Sequence, residues 1–284
     1  KHITTKVLNE RTTIQQASKT IAKIRRSSEW FLEHIIQDDI DITLIDYDLV
    51  HGFIMADLNK GVASSTVKGH LYGLSQVWNR AKQSKIVDGV SPFSSHKLKL
   101  IQVPYDPFTY DEIYQLYNKA DGEMKTLIHA AATTGARLGE LMTAEVLTPS
   151  TYDKPCWLFK FKDKGKTEQS TRVVPVHPSL DLPEGFTFKI TDRTATRRFK
   201  ELRESVLKNT VNELSGKPRK LAFHSFRSSV VTELTVTKQI NEKVVGAITG
   251  HLAGDSKVGS IRTYINADDL AAKMETVKEI PWGA

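Results

Sequence analysis

Apolar residues recur at helical spacing along most of the chain, and one short stretch departs from that pattern. In the first half, positions such as Ile21, Ile24 and Phe31 fall on one helical face. Between residues 157 and 176, apolar and polar residues instead alternate on either side of a polar run that contains Gly165. Such alternation is typical of a β-hairpin. We therefore predict a mainly α-helical fold with a small antiparallel β-sheet.

A segment rich in proline and serine interrupts the helical pattern beyond residue 90. The residue before a proline favours extended backbone, so such a segment is typical of a linker. Thr109 and Glu112 then have the spacing of a capping box that opens a new helix. Because 284 residues also exceed the usual size of one domain, we predict a helical domain over 1–95, a linker over 96–107 and an α+β domain over 108–284.

Several element boundaries can be predicted from capping residues and helix breakers. Asp46–Asn59 is expected to form one helix, and Ser64-Ser65-Thr66 is expected to cap the next. The apolar helix before Gly135 should break there, with helical spacing resuming from Leu138 to Val146. A last amphipathic helix is predicted over 267–277, packed either on its own subunit or on a neighbouring protomer.

The basic charge is concentrated in one part of the chain. The net charge is +7, yet residues 151–227 contain 17 Lys and Arg against 9 Asp and Glu, a local net charge of +8. Residues 1–100 carry a smaller excess of +4. A concentrated basic surface attracts polyanions, of which nucleic acid is the commonest, although a solvated lysine-rich surface has the same composition.

Composition excludes several classes of protein. Hydrophobic residues make up 39% of the chain and charged residues 26%, which excludes wholesale disorder. No apolar run approaches the roughly 18 residues of a membrane span, and the first residues do not form a signal peptide. The single cysteine, Cys156, permits neither an internal disulfide nor a multi-cysteine zinc site, which favours a reducing, intracellular setting.

Two residues near the front of a predicted helix could bind and activate a phosphate. His224 and Arg227 are three positions apart, so they share one helical face. An imidazole can transfer a proton near neutral pH, and a guanidinium fork matches two phosphate oxygens. By itself, the pair is better explained as a partly buried histidine beside an exposed arginine.

The pair belongs to an ordered set of residues in the second half of the chain. In chain order, the set is Arg137, Lys166, His224, Arg227, His251 and Tyr264. With its flanking sequences TGARLGEL, GKTEQSTRVVPVHP and HSFRSSVVTEL, the set resembles the tyrosine recombinases, specifically the phage-type integrases. The resemblance covers residues 107–265, and the helical region before it resembles more loosely the family's core-DNA-binding domain.

The resemblance implies an enzyme that cuts and rejoins DNA strands through a 3′-phosphotyrosyl intermediate, without a metal or other cofactor. It implies that Tyr264, the only tyrosine after His224, is the nucleophile and that His224 is its base. Arg137 and Arg227 would neutralise the charge that builds up on the phosphate in the transition state.

Two further residues receive roles from the same resemblance. Lys166 would protonate the leaving 5′-oxygen, with Lys164 as the alternative catalytic lysine. His251 would bind a phosphate oxygen or assist Tyr264. Further DNA contacts are predicted from charge alone, at Lys68, Arg80, Lys164, Arg193 and Arg197.

The resemblance also implies a biological setting. The partners would be core recombination sites in double-stranded DNA, further copies of the chain in a homotetramer, and accessory DNA-bending proteins. The protein would act in the cytoplasm of a bacterial host, away from membranes, as the integrase of a phage or other mobile element. Because many integrases carry a further N-terminal domain and this chain begins without Met, we expect a truncated integrase.

Two alternative functions stay open from the sequence. A type IB topoisomerase, which relaxes supercoiled DNA, uses the same logic of arginine, lysine, histidine and tyrosine. A DNA-binding protein with a decayed active site would share the fold without the reaction, although every candidate residue is present in this chain.

Overall fold

The computed structural model separates into two compact units, Lys1–Gln102 and Val103–Ala284. The division falls inside the segment predicted as a linker over 96–107. The residues that the structure describes are 2–13, 18–36, 38–99, 103–150, 152–159, 172–208, 210–212, 216–250 and 270–283. No described helix is both long enough and apolar enough to span a membrane.

The first unit is built from helices alone in its described part. Its elements are α1 (His2–Thr13), α2 (Ser18–His34), a 3₁₀ turn (Ile42–Leu44), α3 (Tyr47–Asn59) and α4 (Ser64–Gln83). Ile24, Phe53 and Val67 are fully enclosed in the core of this unit. The prediction of one helix over Asp46–Asn59 is confirmed, since the Asp46 carboxylate caps α3 by accepting from the Leu49 N–H at 2.8 Å.

The predicted cap of α4 is wrong by one residue. The N-cap position is Ala63, which offers no side-chain hydrogen bond, and Ser64-Ser65-Thr66 form the first helical turn. The preceding Val62 packs against the apolar core and thereby fixes where the chain enters the helix. Packing of an apolar residue has outweighed the capping preference of serine and threonine.

The second unit combines helices with a small sheet, and the predicted mainly α-helical fold class is confirmed. Strands β1 (Glu145–Leu147), β2 (Cys156–Phe159) and β3 (Arg172–Pro175) form an antiparallel sheet in the order β1-β2-β3. Trp157 pairs with Val174, and both are completely buried. The predicted hairpin therefore exists as β2 and β3, and the residues between these strands lie outside the described part of the chain.

Helices surround the sheet and enclose the main apolar core of the unit. They are α5 (Tyr110–Lys119), α6 (Gly122–Thr134), α7 (Leu138–Leu141), α8 (Asp192–Val206), α9 (Ser225–Thr232), α10 (Glu242–Thr249) and α11 (Leu270–Lys278). The predicted capping box is confirmed, because the Glu112 N–H donates to the Thr109 hydroxyl and the Thr109 N–H donates to the Glu112 carboxylate.

The prediction of a helix from Leu138 to Val146 is only half right. Helix α7 ends at Leu141, and Glu145–Leu147 instead forms the edge strand β1. Val146 lies opposite Trp157, and its N–H donates to the Phe186 carbonyl at 3.0 Å. A strand of three residues is too short to show alternation, so the local apolar spacing gave no sign of it.

The C-terminal helix packs on its own subunit, which is one of the two predicted alternatives. In α11, Met274 and Val277 are buried, and the Lys273 ammonium donates to the Val173 carbonyl at 3.0 Å. Within this single chain α11 contacts β3 and α10, and docking on a neighbouring protomer stays a prediction.

Candidate active site

A sharp turn after α6 presents Arg137. Helix α6 ends at Gly135, whose φ of +61° is a left-handed conformation that favours glycine. A Cβ there would lie 3.0 Å from the Thr249 methyl group, so α10 approaches too closely for a side chain. The Thr134 hydroxyl accepts from the Ala136 N–H, which fixes the start of the turn. Arg137 follows as the N-cap of α7.

Arg137 is held by a carboxylate that also binds a second, buried arginine. The Arg137 backbone N–H and guanidinium each donate to Glu140 at 2.8 Å. Arg172 donates to the same carboxylate at 3.0 Å. The Arg137 side chain is 46% exposed, whereas those of Glu140 and Arg172 are only 9% and 7% exposed. One arginine therefore faces solvent while its orienting partners are enclosed.

Helix α9 carries His224 and Arg227 on an anchored aromatic cluster. Phe226 is completely buried, with its ring centroid 4.9 Å from Phe108 and 5.5 Å from Phe199. This packing fixes the rotation of α9 and turns Arg227 toward the Gly135 turn. The Arg227 guanidinium donates to the Gly135 carbonyl at 3.0 Å and to the Thr249 carbonyl.

The C-terminus of α10 is bound by two arginines. Arg172 donates to the carbonyls of Ile248 at 2.9 Å and Thr249 at 3.3 Å, and Arg227 shares the Thr249 carbonyl. Helix ends leave such carbonyls without intrahelical donors and carry partial negative charge, so cations are stabilised there. Gly250 ends the helix with a φ of +74°.

Burial and neighbouring cations set the protonation states at this site. Burial lowers the pKa of the His224 imidazole, and the charges of Arg227 and Arg137 lower it further against the attraction of Glu140. Burial also lowers the pKa of Arg227, and the nearby Arg137 adds to the effect. Burial alone would raise the pKa of the Glu140 carboxyl, but Arg172 and Arg137 together hold it below its usual range. At neutral pH the site thus combines a neutral imidazole with fixed charges.

The fold has known structural relatives, although neither a protein-family model nor a curated protein matches the sequence. A lambda integrase tetramer bound to a Holliday junction matches 90% of this chain and 78% of its own, with a TM-score of 0.69 at 15% identity. A lambda integrase dimer bound to a COC′ core site matches 88% of this chain and 94% of its own, with a TM-score of 0.63 at 14% identity. The Tn1549 transposon integrase in complex with transposon right end DNA matches 96% of this chain and 94% of its own, with a TM-score of 0.60 at 14% identity. The chain has the fold of the tyrosine recombinases.

Within this tyrosine-recombinase fold, three of the predicted site residues come together from separate parts of the sequence. Arg137, His224 and Arg227 lie close enough for each arginine to shift the pKa of the histidine. The other predicted residues of the set, Lys164, Lys166, His251 and Tyr264, lie outside the described part of the chain. In the ranges that the structure describes, no three His, Cys, Asp or Glu side chains are grouped to hold a metal ion.

The residues predicted as DNA contacts fall into two groups. Lys68 on α4 and Arg193 on α8 are exposed. Arg80 instead joins α4 to α1 through an ion pair with Glu10 at 2.7 Å, which favours a structural role in the first unit. Arg197 is 65% exposed and forms a pair with Glu201 within α8, so its charge remains open to solvent.

Arg172 and Glu140 are the site residues whose importance the sequence did not reveal. From the sequence, Glu140 is interpreted only as a structural residue of the Arg137 motif, and the structure shows it buried between two arginines. In the alternating strand pattern, position 172 falls on the same face as the buried Val174. An arginine at an inward-facing strand position was therefore the available signal.

Proposed function

We propose that this chain is a site-specific DNA recombinase of the integrase type, which cuts and rejoins DNA strands through Tyr264. The observation that carries the proposal is the convergence of Arg137, His224 and Arg227 on one site within a tyrosine-recombinase fold. Two lambda integrase relatives are described with a Holliday junction and a core site. These DNA complexes support duplex recombination sites as the substrate class.

The reaction is a transesterification in which no phosphate bond is lost. The Tyr264 oxygen attacks the scissile phosphorus, the bond from phosphorus to the 5′-oxygen breaks, and Lys166 supplies the proton that the leaving oxygen takes up. Lys164 is the alternative donor. In the second half, a 5′-hydroxyl of another strand gives its proton to Lys166 and attacks the phosphorus, the bond from phosphorus to the Tyr264 oxygen breaks, and His224 returns the phenol proton to Tyr264. Each half of the reaction forms one phosphoester bond and breaks one, so no external energy source is required.

The charges of the site suit this chemistry. Arg137 is half-exposed and preoriented by Glu140, so it can meet a nonbridging phosphate oxygen without reorganisation. Arg227 adds a second positive charge from the buried side of the site. A neutral His224 can accept the phenol proton of Tyr264, which a protonated imidazole could not do. His251 would complete the set as a phosphate ligand or as a helper of Tyr264.

Strand exchange between two duplexes requires several protomers, and we propose a homotetramer on DNA. The first unit would serve as the core-DNA-binding domain, with Lys68 as a phosphate contact. In the second unit, Arg193 and Arg197 on the exposed face of α8 would add phosphate contacts. A phage or other mobile element, aided by accessory DNA-bending proteins, is the setting that this reaction fits.

Covalent trapping tests the proposal and identifies the DNA sequence that is cut in the same experiment. The protein is incubated with a library of nicked duplexes that contain a randomised segment, and DNA that stays attached after denaturation is sequenced. We expect one enriched sequence joined to the protein through Tyr264, no adduct with Tyr264→Phe, and an unchanged adduct with Tyr114→Phe at an exposed, unrelated position. An adduct that survives Tyr264→Phe would contradict the assigned nucleophile.

The same material separates recombination from DNA relaxation. A recombinase joins strands of two duplexes carrying the enriched sequence, whereas a type IB topoisomerase relaxes supercoiled plasmid as a monomer without site preference. Specific binding without an adduct on any nicked substrate would indicate a DNA-binding protein that has lost the reaction.

A further inference from the structure

Arg172 connects segments that the proposed chemistry must hold in register. It is the first residue of β3, and its guanidinium reaches the Glu140 carboxylate on α7 and the Ile248 and Thr249 carbonyls at the end of α10. The guanidinium carbon also lies 4.3 Å from the centre of the Phe159 ring on β2. One side chain therefore touches three different elements besides its own.

Gly250 lies directly against the Arg172 guanidinium. A Cβ on Gly250 would lie 2.6 Å from Arg172 Nη1, and the φ of +74° at this position also favours glycine. A side chain at Gly250 would therefore displace the guanidinium from its present position.

We propose that Arg172 is a positioning residue of the cleavage reaction, which sets Arg137 through Glu140 and holds the end of α10 against the site. This inference rests on the proposed recombinase function. Arg172 is only 8% exposed, and Glu140 stands between it and Arg137, so it acts on the phosphate through Glu140 rather than by contact.

The chemistry of the side chain explains why arginine is needed. A guanidinium has five donors in a flat fork, so it can bind a carboxylate and two carbonyls while its face lies on a ring. A lysine ammonium keeps the charge but has neither the plane nor the spread of donors. In Arg172→Lys, Glu140 would keep Arg137 as its partner but lose the restraint that fixes its own position.

Single-turnover cleavage measures the consequence. A displacement of about 1 Å at a catalytic group can cost about 100-fold in rate, and we expect a fall of that order for Arg172→Lys with DNA affinity changed less than about 2-fold. The matched control is Arg198→Lys, which alters an exposed arginine paired with Asp121 and should leave the rate unchanged. Urea unfolding of both variants shows how much folded protein is present.

A neutral substrate distinguishes positioning from a merely structural role. When a methylphosphonate replaces the scissile phosphate, one nonbridging charge is gone and the demand on Arg137 falls. On this substrate, we expect the fold loss in cleavage rate of Arg172→Lys to be less than about a tenth of its loss on the normal phosphate. The loss of Arg137→Ala should shrink in parallel. An equal defect on both substrates would overturn the proposal, because loss of folded protein affects both reactions alike.

A structural readout separates this inference from the proposed function. If the wild-type protein forms no adduct with either substrate, the recombinase function fails, and the guanidinium NMR signals of Arg137 then decide the positioning role. We expect these signals to change in Arg172→Lys and in Glu140→Gln, and to stay unchanged in Arg198→Lys. Unchanged Arg137 signals in Arg172→Lys would overturn the positioning role whether or not the protein cuts DNA.

Discussion

The two units of this protein bury charge in different ways. In the first unit, the buried Asp57 accepts one hydrogen bond from the Trp30 indole at 3.3 Å, and its other oxygen has no hydrogen-bond partner among the described residues. In the second unit, Glu140 accepts from two arginines and is one part of a continuous network. A buried charge without ionic partners is costly, whereas a network fixes the direction of each group. Of these two buried carboxylates, the one in the candidate site is the one that charged partners hold in a fixed direction.

Neutralising the two buried carboxylates should give the largest difference between the units. Glu140→Gln leaves Arg172 enclosed without an anion, and we expect a loss of about 3 kcal/mol in the free energy of unfolding together with loss of cleavage. Asp57→Asn keeps the acceptor for Trp30 and removes a partly unsatisfied charge, so it should cost less than about 1 kcal/mol. Hydrogen exchange read by mass spectrometry resolves the units. Equal losses in both units would break the comparison.

Adding a methyl group beside the network should have the next largest effect. Gly250→Ala adds the strain of a left-handed alanine, about 1–2 kcal/mol, and pushes against Arg172. Gly185→Ala is the matched control, because its φ of +78° imposes the same strain and no atom lies within 4 Å of the added carbon. The difference in unfolding free energy between the variants isolates the contact with Arg172. If the two variants lose the same free energy of unfolding, the Arg172 guanidinium is not tightly held.

Protonation of a buried histidine in acid should destabilise the second unit, through His177, more than it destabilises the first unit, through His70. Burial lowers the pKa of His177 to about 4, and His129 adds to the effect. Burial also lowers the pKa of His70, but the charge of Asp57 opposes it. A lowered pKa gives stability that is present above the unfolded value of about 6.5 and is lost as pH falls toward the folded value.

Between pH 7 and pH 5, the melting temperature of His177→Gln should therefore fall less than that of the wild-type protein. The same difference should be smaller for His70→Gln. Melting curves at half-unit pH intervals provide the measurement, with the wild-type protein as reference. A larger effect at His70 would reverse this part of the comparison.

The smallest effect is expected at a surface ion pair outside the network. Arg197→Ala removes an exposed pair with Glu201 and should change the unfolding free energy by less than about 0.5 kcal/mol. If α8 contacts DNA, the same variant should lower the slope of log affinity against log salt by about one unit. A stability loss comparable to that of Glu140→Gln would show that exposed pairs matter as much as the buried network.

Local sequence patterns predicted most of the elements that depend on neighbouring residues. The Thr109 and Glu112 capping box, the break at Gly135 and the pairing of β2 with β3 all follow from short-range rules. Strand β1 was missed because a strand of three residues is too short to show alternation, and the apolar spacing leading up to it also fits a helix. The start of α4 was misplaced because packing of Val62 overrode the capping preference.

The sequence alone determined which residue types could perform phosphate chemistry and in what order they occur. It identified Arg137, His224 and Arg227, since their motifs are local. Only the tertiary structure showed that Glu140 binds Arg137 and Arg172 together, because a buried network depends on which distant backbone carbonyls and side chains meet in space. An ionic group chooses its partners by three-dimensional proximity in a low-dielectric interior, which no short-range sequence pattern records.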